Sequence, residues 1–321
     1  MLNSKSKIVV ICGPTASGKT ALALKLAKLQ PSSLIVVDSR QAYKGLDILT
    51  GKDIPPAFVK KNNPLSSYFE HKNTRIWGID LISPDQTPNL SDFTRFAWKV
   101  ITREQQLGQQ IILVGGTGLY LKAITSPLSQ IHVPQLPKLR LKLNNQPLTS
   151  LQNYLRKINS NHFNTLNHSD QNNPRRLIRH IEILQTNTLP ENEDYLIPQK
   201  NSQYYWIGLK SAPENVNIAI KGRVLNRLQN GCIKETKKLV SDYPCLKLPI
   251  YTSLGVKYLL SYIKKEINKD ELIKRWTMAE IAYSKRQMTW FKKQPQIIWY
   301  DKDTNPNIII SSAQKWLQTK V

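Results

Sequence analysis

The chain has 321 residues and a mass of 36.8 kDa, which suits two domains or one large one and leaves ample length for a buried core. Lys and Arg number 46 against 22 Asp and Glu, a formal charge of +24, far beyond what solubility asks of a domain, so a polyanionic partner is indicated. No apolar run reaches the ~18 residues of a membrane span, and the basic stretch Met1 to Lys7 runs into a glycine-rich loop rather than a small-residue cleavage site. A membrane anchor and a signal peptide are therefore not expected, and a cytoplasmic location is. Cys12, Cys232 and Cys245 are too few and too scattered for a disulfide framework or a four-ligand zinc site, and are expected to pack.

Three apolar runs in the first third each end in small or polar residues: Lys7–Cys12 before Gly13, Ser33–Val37 before Asp38, and Gln110–Val114 before Gly115-Gly116. Non-alternating β-branched runs of this length predict strands buried on both faces, as in a parallel sheet covered by helices. A helix is expected over Ala21 to Gln30, with Leu22, Leu26 and Leu29 on one face and Pro31 closing it. In such α/β sheets ligands bind outside the carboxyl ends of the strands, so the residues after the three runs share one edge. From about Pro127 glycine is absent until Gly208 and Asn, Gln, Leu and basic residues dominate, which predicts a helical insertion with helices at Leu136–Ile158 and Asn173–Leu184. A strand at Gln203–Leu209 then returns to the sheet, followed by helices at Asn215–Asp242, Ser253–Ile267 and Lys269–Lys293. The organisation expected is a first part of the core over residues 1–125, an insertion over 126–200 and a second part of the core over 201–321.

Gly13-Pro14-Thr15-Ala16-Ser17-Gly18-Lys19-Thr20 fits the P-loop pattern G-x-x-x-x-G-K-[ST] and lies between a strand and a helix, as that pattern requires. Its backbone N–H groups converge on an anion at a helix N-terminus, Lys19 adds a point charge, and the Thr20 hydroxyl is placed to hold Mg²⁺. Asp38 ends the second strand on the same edge. It suits either a metal ligand of a phosphoryl-transfer enzyme or a general base facing an acceptor, with a structural cap as the plainer alternative. The neighbours Ser39, Arg40, Gln41, Ala42 and Tyr43 bring hydrogen-bonding groups and a phosphate-binding cation, which favours an acceptor site. Gly115-Gly116-Thr117-Gly118-Leu119-Tyr120 allows a close backbone approach to a ligand. His71, His132, His162, His168 and His180 show no metal-ligand spacing, and Trp290 and Phe291 are expected to pack.

Together these motifs resemble the tRNA dimethylallyltransferase family. The resemblance rests on the P-loop Gly13–Thr20, on Asp38-Ser39-Arg40-Gln41-Ala42-Tyr43, on Gly115–Tyr120, on Arg176-Leu177-Ile178-Arg179-His180-Ile181-Glu182 after Asn173-Pro174-Arg175, and on Lys285-Arg286-Gln287-Met288-Thr289-Trp290-Phe291. It implies a P-loop NTPase-like fold with a helical insertion, and transfer of the prenyl group of dimethylallyl diphosphate to N6 of an adenosine beside the anticodon, with Mg²⁺ as cofactor. By the same resemblance the diphosphate lies on Gly13, Pro14, Thr15, Ala16, Ser17, Gly18, Lys19 and Thr20, and Asp38, Thr117, Lys19 and Arg223 are catalytic. The tRNA anticodon stem-loop is then met by Asp38, Ser39, Arg40, Gln41, Thr117, Arg140, Arg175, Arg176, Leu177, Ile178, Arg179, Leu254, Gly255 and Lys257, with no membrane and a monomeric enzyme.

Three places depart from the family pattern: Leu49 stands for a glycine in Asp47–Lys52, Val256 and Tyr258 replace the side chains of a Gly-Tyr-x-Glu element, and Glu280-Ile281 stands where relatives carry Thr-Arg. Activity with altered tRNA contacts is expected. A P-loop kinase would leave the charge of +24 without a purpose, prenylation of free AMP would not need the arginine helix, and a non-catalytic RNA-binding descendant would not need Asp38 and Lys19.

Overall fold

The computed structural model describes residues 6–131, 133–186 and 201–319. In chain order its elements are β1 (Lys7–Cys12), α1 (Lys19–Ala27), β2 (Ser32–Val36), α2 (Asp47–Thr50), β3 (Val59–Asn62), β4 (Ser67–His71), β5 (Thr74–Trp77), α3 (Leu90–Gln106), β6 (Gln110–Gly115) and α4 (Gly118–Thr125). There follow α5 (Pro137–Leu143), α6 (Leu148–Ile158), α7 (Ser160–Thr165), α8 (His168–Gln171), α9 (Pro174–Gln185), β7 (Gln203–Lys210), α10 (Pro213–Gln229), α11 (Cys232–Asp242), α12 (Val256–Ile263), α13 (Lys269–Phe291), β8 (Ile297–Asp301) and α14 (Pro306–Gln318). One compact unit is drawn from Met1–Ser126 and Ile197–Val321, the other from Pro127–Leu196.

In the larger unit the strands form an eight-stranded sheet in the order β3-β4-β5-β2-β6-β1-β7-β8. From β5 to β8 every pairing is parallel, and at one edge β4 runs antiparallel to both of its neighbours, β3 and β5. Ile8 to Cys12 of β1 are wholly buried, as a central strand covered on both faces must be. Register fixes the functional edge, because Cys12 pairs with Gly115 on one side and with Gly208 on the other, while Val36 pairs with Val114. On one face Leu22 and Leu26 of α1 meet Ile309, Ile310 and Ala313 of α14 over the strand side chains. A second core joins Leu49 of α2, Val224 of α10, Leu239 of α11, Leu259 of α12 and Trp276 of α13.

The smaller unit has its own core of Leu143, Leu151, Leu155, Phe163, Leu177, Ile178 and Ile181. Asn159, Asn167 and Asn173 cap α7, α8 and α9 through their side-chain oxygens, which explains a stretch so rich in Asn. Its polar centre is Glu182, fully buried. The carboxylate takes Arg140 Nε at 2.7 Å on one oxygen and Arg140 Nη2 at 2.8 Å on the other, and also accepts the Leu136 N–H at 2.8 Å. Burial alone would raise this carboxyl, but the Arg140 bonds, the Leu136 amide and the charge of Arg179 outweigh it and hold it below the usual carboxylate range.

The expected parallel α/β sheet with a helical insertion is found. Four boundaries differ, each for a local reason. Leu136–Ile158 is two helices, because Pro147 has no N–H to continue the first and instead caps the second. Asn215–Asp242 is likewise divided where Gly231 takes a left-handed φ of 98°. Ser253–Ile267 contracts to α12, which starts after Gly255, and the first helix begins at Lys19 and ends at Ala27. The helices α2, α3, α7, α8 and α14 and the strands β3, β4, β5 and β8 are not anticipated by the sequence reading. Cys12 and Cys232 pack as expected, whereas Cys245 is exposed.

Glu182→Gln keeps the shape but leaves Arg140 without its charge partner, and should destabilise the insertion by about 2 kcal/mol. Limited proteolysis confined to residues of this unit would show it. Because the folded carboxyl is depressed, its stabilising effect is present near neutral pH and fades as pH falls through the carboxylate range.

Candidate active site

The loops after β1, β2 and β6 open into one cavity of about 590 Å³. It is lined by the P-loop residues Thr15, Ala16, Gly18, Lys19 and Thr20, by Asp38 to Gln41, by Gly115-Gly116, and by Arg223, Arg227 and Glu280 among others. The P-loop curls because Ala16 and Gly18 both take left-handed backbone angles, φ 62° and 84°. This turns successive N–H groups to the start of α1, a ready anion site. Lys19 Nζ donates to Pro14 O at 2.5 Å and lies 3.4 Å from Ser17 Oγ, so the ammonium is drawn back over its own loop.

Electrostatics around Lys19 are set by protein on all sides. Burial first, then the cation of Arg223, push its pKa down to about 8, with Asp38 acting in the opposite sense. A bound anion offsets both penalties. The site is therefore poised to take an anion and, in mildly alkaline solution, a proton with it.

Asp38 is oriented by an Asx turn in which the Arg40 N–H donates to its Oδ1 at 2.8 Å. Among the described residues its second oxygen has no hydrogen-bond partner. Arg40 is anchored across the cavity, donating to Pro249 O at 3.4 Å and to Thr252 Oγ1 at 3.2 Å, and Gln41 Nε2 donates to Gly51 O at 3.2 Å. The Thr117 hydroxyl is buried and makes no hydrogen bond of normal geometry, with the phenol of Tyr283 close beside it.

Gln287 is the residue that sequence reasoning did not single out. Its Oε1 accepts the Thr15 N–H at 2.8 Å and its Nε2 donates to Gly116 O at 3.0 Å. One buried amide on α13 thus ties the loop after β1 to the loop after β6. The second glycine of the Gly-Gly pair is explained by this contact, since a Cβ at 116 would lie within clashing distance of Gln287 Nε2. Trp290, one turn further on, packs in the same way against Gly118. The signal was present in the Lys285–Phe291 motif, where packing was expected of Trp290 and Phe291 but no role was read for Gln287.

The sequence-predicted partner contacts divide by exposure. Ser39, Arg40, Gln41 and Leu254 line the cavity, and Lys257 is exposed beside it in sequence on α12. Gly255 is buried against the Trp276 ring, which leaves no space for a side chain. In the insertion Arg175 and Arg176 are exposed, Arg176 paired with Asp170. Leu177 and Ile178 belong to the core, so their side chains are not presented to a partner. Arg140 is engaged with Glu182, and Arg179 donates to Gln130 O at 2.8 Å and Val133 O at 2.7 Å. The departures are also accommodated. Leu49 is buried in α2, whose first N–H groups are accepted by the Glu235 carboxylate, and Gly51 closes that turn at φ 65°. Glu280 is paired with Arg227 at 2.9 Å.

The family profile described as IPP transferase matches residues 41–294. The chain belongs to the IPP transferase family. A tRNA dimethylallyltransferase of Crocosphaera subtropica is 30% identical over 312 residues, 97% of each chain. The solved tRNA isopentenylpyrophosphate transferase of Bacillus halodurans superposes with a TM-score of 0.67 at 27% identity, over 98% of this chain and 96% of that one. A eukaryotic dimethylallyltransferase solved acting on tRNA shares the fold, with a TM-score of 0.77 at 22% identity over 98% of this chain and 80% of that one. Among the described residues no helix is long and apolar enough to cross a membrane.

Gln287→Ala leaves the Thr15 N–H and the Gly116 carbonyl unpaired, and should weaken pyrophosphate binding by about 1–2 kcal/mol, measured by calorimetry. Gln287→Glu, which keeps the acceptor but adds a negative charge near the P-loop, should bind more weakly still. For Lys19, binding of a fully ionised diphosphate ester at about pH 9 should be accompanied by net proton uptake. Titrations in buffers of different ionisation enthalpy would reveal it, and binding without proton uptake would contradict the assignment.

Proposed function

We propose that this protein transfers the dimethylallyl group of dimethylallyl diphosphate to N6 of the adenosine next to the anticodon in tRNA, releasing diphosphate. The observation that carries the reading is the meeting, in one cavity, of an anion-binding loop with its lysine and a carboxylate that keeps one oxygen free. An exocyclic adenine amine is a weak nucleophile that becomes cationic as it attacks, and Asp38 is placed to take its proton. Negative charge develops on the departing diphosphate. The P-loop amides are preorganised toward that charge, with Lys19 and Arg223 beside them, and stabilising it as it develops is where the rate gain is greatest. The buried Thr117 hydroxyl supplies a hydrogen bond to the acceptor or its phosphate.

The donor set also fits Mg²⁺. Among the described residues no cluster of three or more His, Cys, Asp or Glu forms a metal cage, whereas Thr20 lines the cavity at the start of α1. One hydroxyl plus phosphate oxygens and water is the environment that Mg²⁺ prefers. When bound there it would neutralise charge on the diphosphate.

An adenine in a folded anticodon loop must be extruded to reach Asp38, stabilised by contacts to the flanking phosphates. In the larger unit Ser39, Arg40, Gln41, Leu254 and Lys257 are placed for such contacts. In the insertion Arg175 and Arg176 are exposed at the start of α9, Arg176 beside Asp170, whereas Arg140 and Arg179 are held by Glu182 and by backbone carbonyls and act through the shape of the unit. A monomeric enzyme in the cytoplasm, where tRNA is matured, is part of the same reading.

Incubation with Mg²⁺, dimethylallyl diphosphate and unmodified tRNA, followed by mass analysis of the digested nucleosides, tests the proposal. Isopentenyladenosine should form from tRNA and not from AMP; product from AMP alone, or none from tRNA, would refute it. Arg175→Ala with Arg176→Ala should lower tRNA affinity and reduce the slope of log affinity against log salt by about 1–2. An unchanged slope would show that this face makes no phosphate contact.

A further inference from the structure

Arg223 and Arg227 lie one turn apart on α10, both line the cavity, and each is held by a carboxylate in a different way. Arg227 Nη1 donates to Glu280 Oε1 at 2.9 Å, Trp276 Nε1 donates to the same oxygen at 3.2 Å, and the side chains of the pair are only 11% and 9% exposed. Arg223 Nη1 donates to Asp53 Oδ2 at 2.8 Å, but these side chains are 35% and 56% exposed. Among the described residues Arg223 Nε is buried without a hydrogen-bond partner, so the guanidinium is only partly satisfied by Asp53.

The residues just before Asp53 are tied to the fold. The Lys52 side chain is 1% exposed and bridges Asp47 at 2.8 Å and Asp80 at 2.5 Å. Gly51 presses its backbone on both arginines, since a Cβ there would lie 2.8 Å from Nη2 of Arg223 and of Arg227. The carboxylate is therefore presented to Arg223 next to two anchored residues, while the ion pair stays open to water. A buried pair is costly to separate, whereas an exposed one exchanges partners readily. A diphosphate carries more charge than Asp53 and matches a guanidinium with two oxygens.

We infer that Asp53 is an exchangeable counter-ion of Arg223, holding the guanidinium at the cavity, yielding it to the diphosphate when donor binds, and reclaiming it as diphosphate leaves. This rests on the reading that Gly13–Thr20 hold the donor's diphosphate. Asp53 is a positioning residue that acts through Arg223 and lowers the affinity for the released product. Glu280 does not take part, because Arg227 is locked by burial and by the Trp276 indole.

The test is binding of inorganic pyrophosphate in excess Mg²⁺ and low salt by the intact protein, by Asp53→Asn and Asp53→Ala, by Arg223→Ala, and by Asp53→Asn combined with Arg223→Ala. Both Asp53 variants should bind about two- to five-fold more tightly than the intact protein. Asp53→Asn should change nothing when Arg223 is already Ala. Unchanged or weaker binding by the Asp53 variants overturns the inference, and so does equal tightening in both backgrounds, which would mean direct repulsion of the anion. Intact protein that binds no pyrophosphate overturns the donor-site reading and the inference with it; binding that is indifferent to Asp53 overturns the inference alone.

Discussion

The parallel pairing of β1 with β6 and β7 is the constraint from which the site follows. It sets Cys12 level with Gly115 and Gly208, so the loop that gathers N–H groups for an anion and the loop that carries Thr117 leave the sheet side by side. Two loops leaving a sheet together are not yet a site, because each has its own freedom. The Gln287 amide removes that freedom, with one hydrogen bond to each loop from a helix packed on both. A glycine at 116 is the geometric condition for this bridge. Asp38 reaches the same edge at the end of β2, and its carboxylate is steered by the Arg40 amide.

Charge is distributed unevenly over this frame, and burial decides what each cation does. Lys19 is crowded by protein and by Arg223 until its pKa falls to about 8, a strain that an anion relieves. Arg227 is neutralised in place by Glu280, a residue that departs from the family pattern and finds its compensation across the helix pair. In the insertion, Arg140 and Arg179 are consumed by the buried Glu182 and by carbonyls, while Arg175 and Arg176 in the first turn of α9 are exposed, as are Lys138, Lys142, Arg156 and Lys157. The formal charge of +24 is thus only in part a surface for a polyanion; several of its arginines are internal struts.

The central strands and the P-loop were legible because burial on both faces leaves unbroken apolar runs and because the phosphate-binding pattern has a definite place between strand and helix. The edge strands were not. Val59–Asn62 is exposed throughout and Ser67–His71 is half-buried, so neither carries an apolar run, and what makes them strands is pairing, β4 with β5 and β3 with β4. The helix α3 was readable, since Asn89 caps it and Phe93, Ala97, Trp98 and Ile101 line one face, but it lay between more conspicuous motifs. Arg140 and Arg179 look like partner contacts in sequence because a buried carboxylate 42 residues away from Arg140 leaves no local mark. The same holds for Asp53 and Gln287, whose partners are brought to them only by the folded sheet.

The account turns on Asp38 serving the reaction rather than the fold or the binding of either substrate. The most direct measurement is the single-turnover rate of prenyl transfer to tRNA by Asp38→Ala, with donor and tRNA affinities determined in parallel on the same preparation. The account predicts near-normal affinities and a rate lowered by about 10²–10⁴-fold. Transfer at the rate of the intact protein would contradict it.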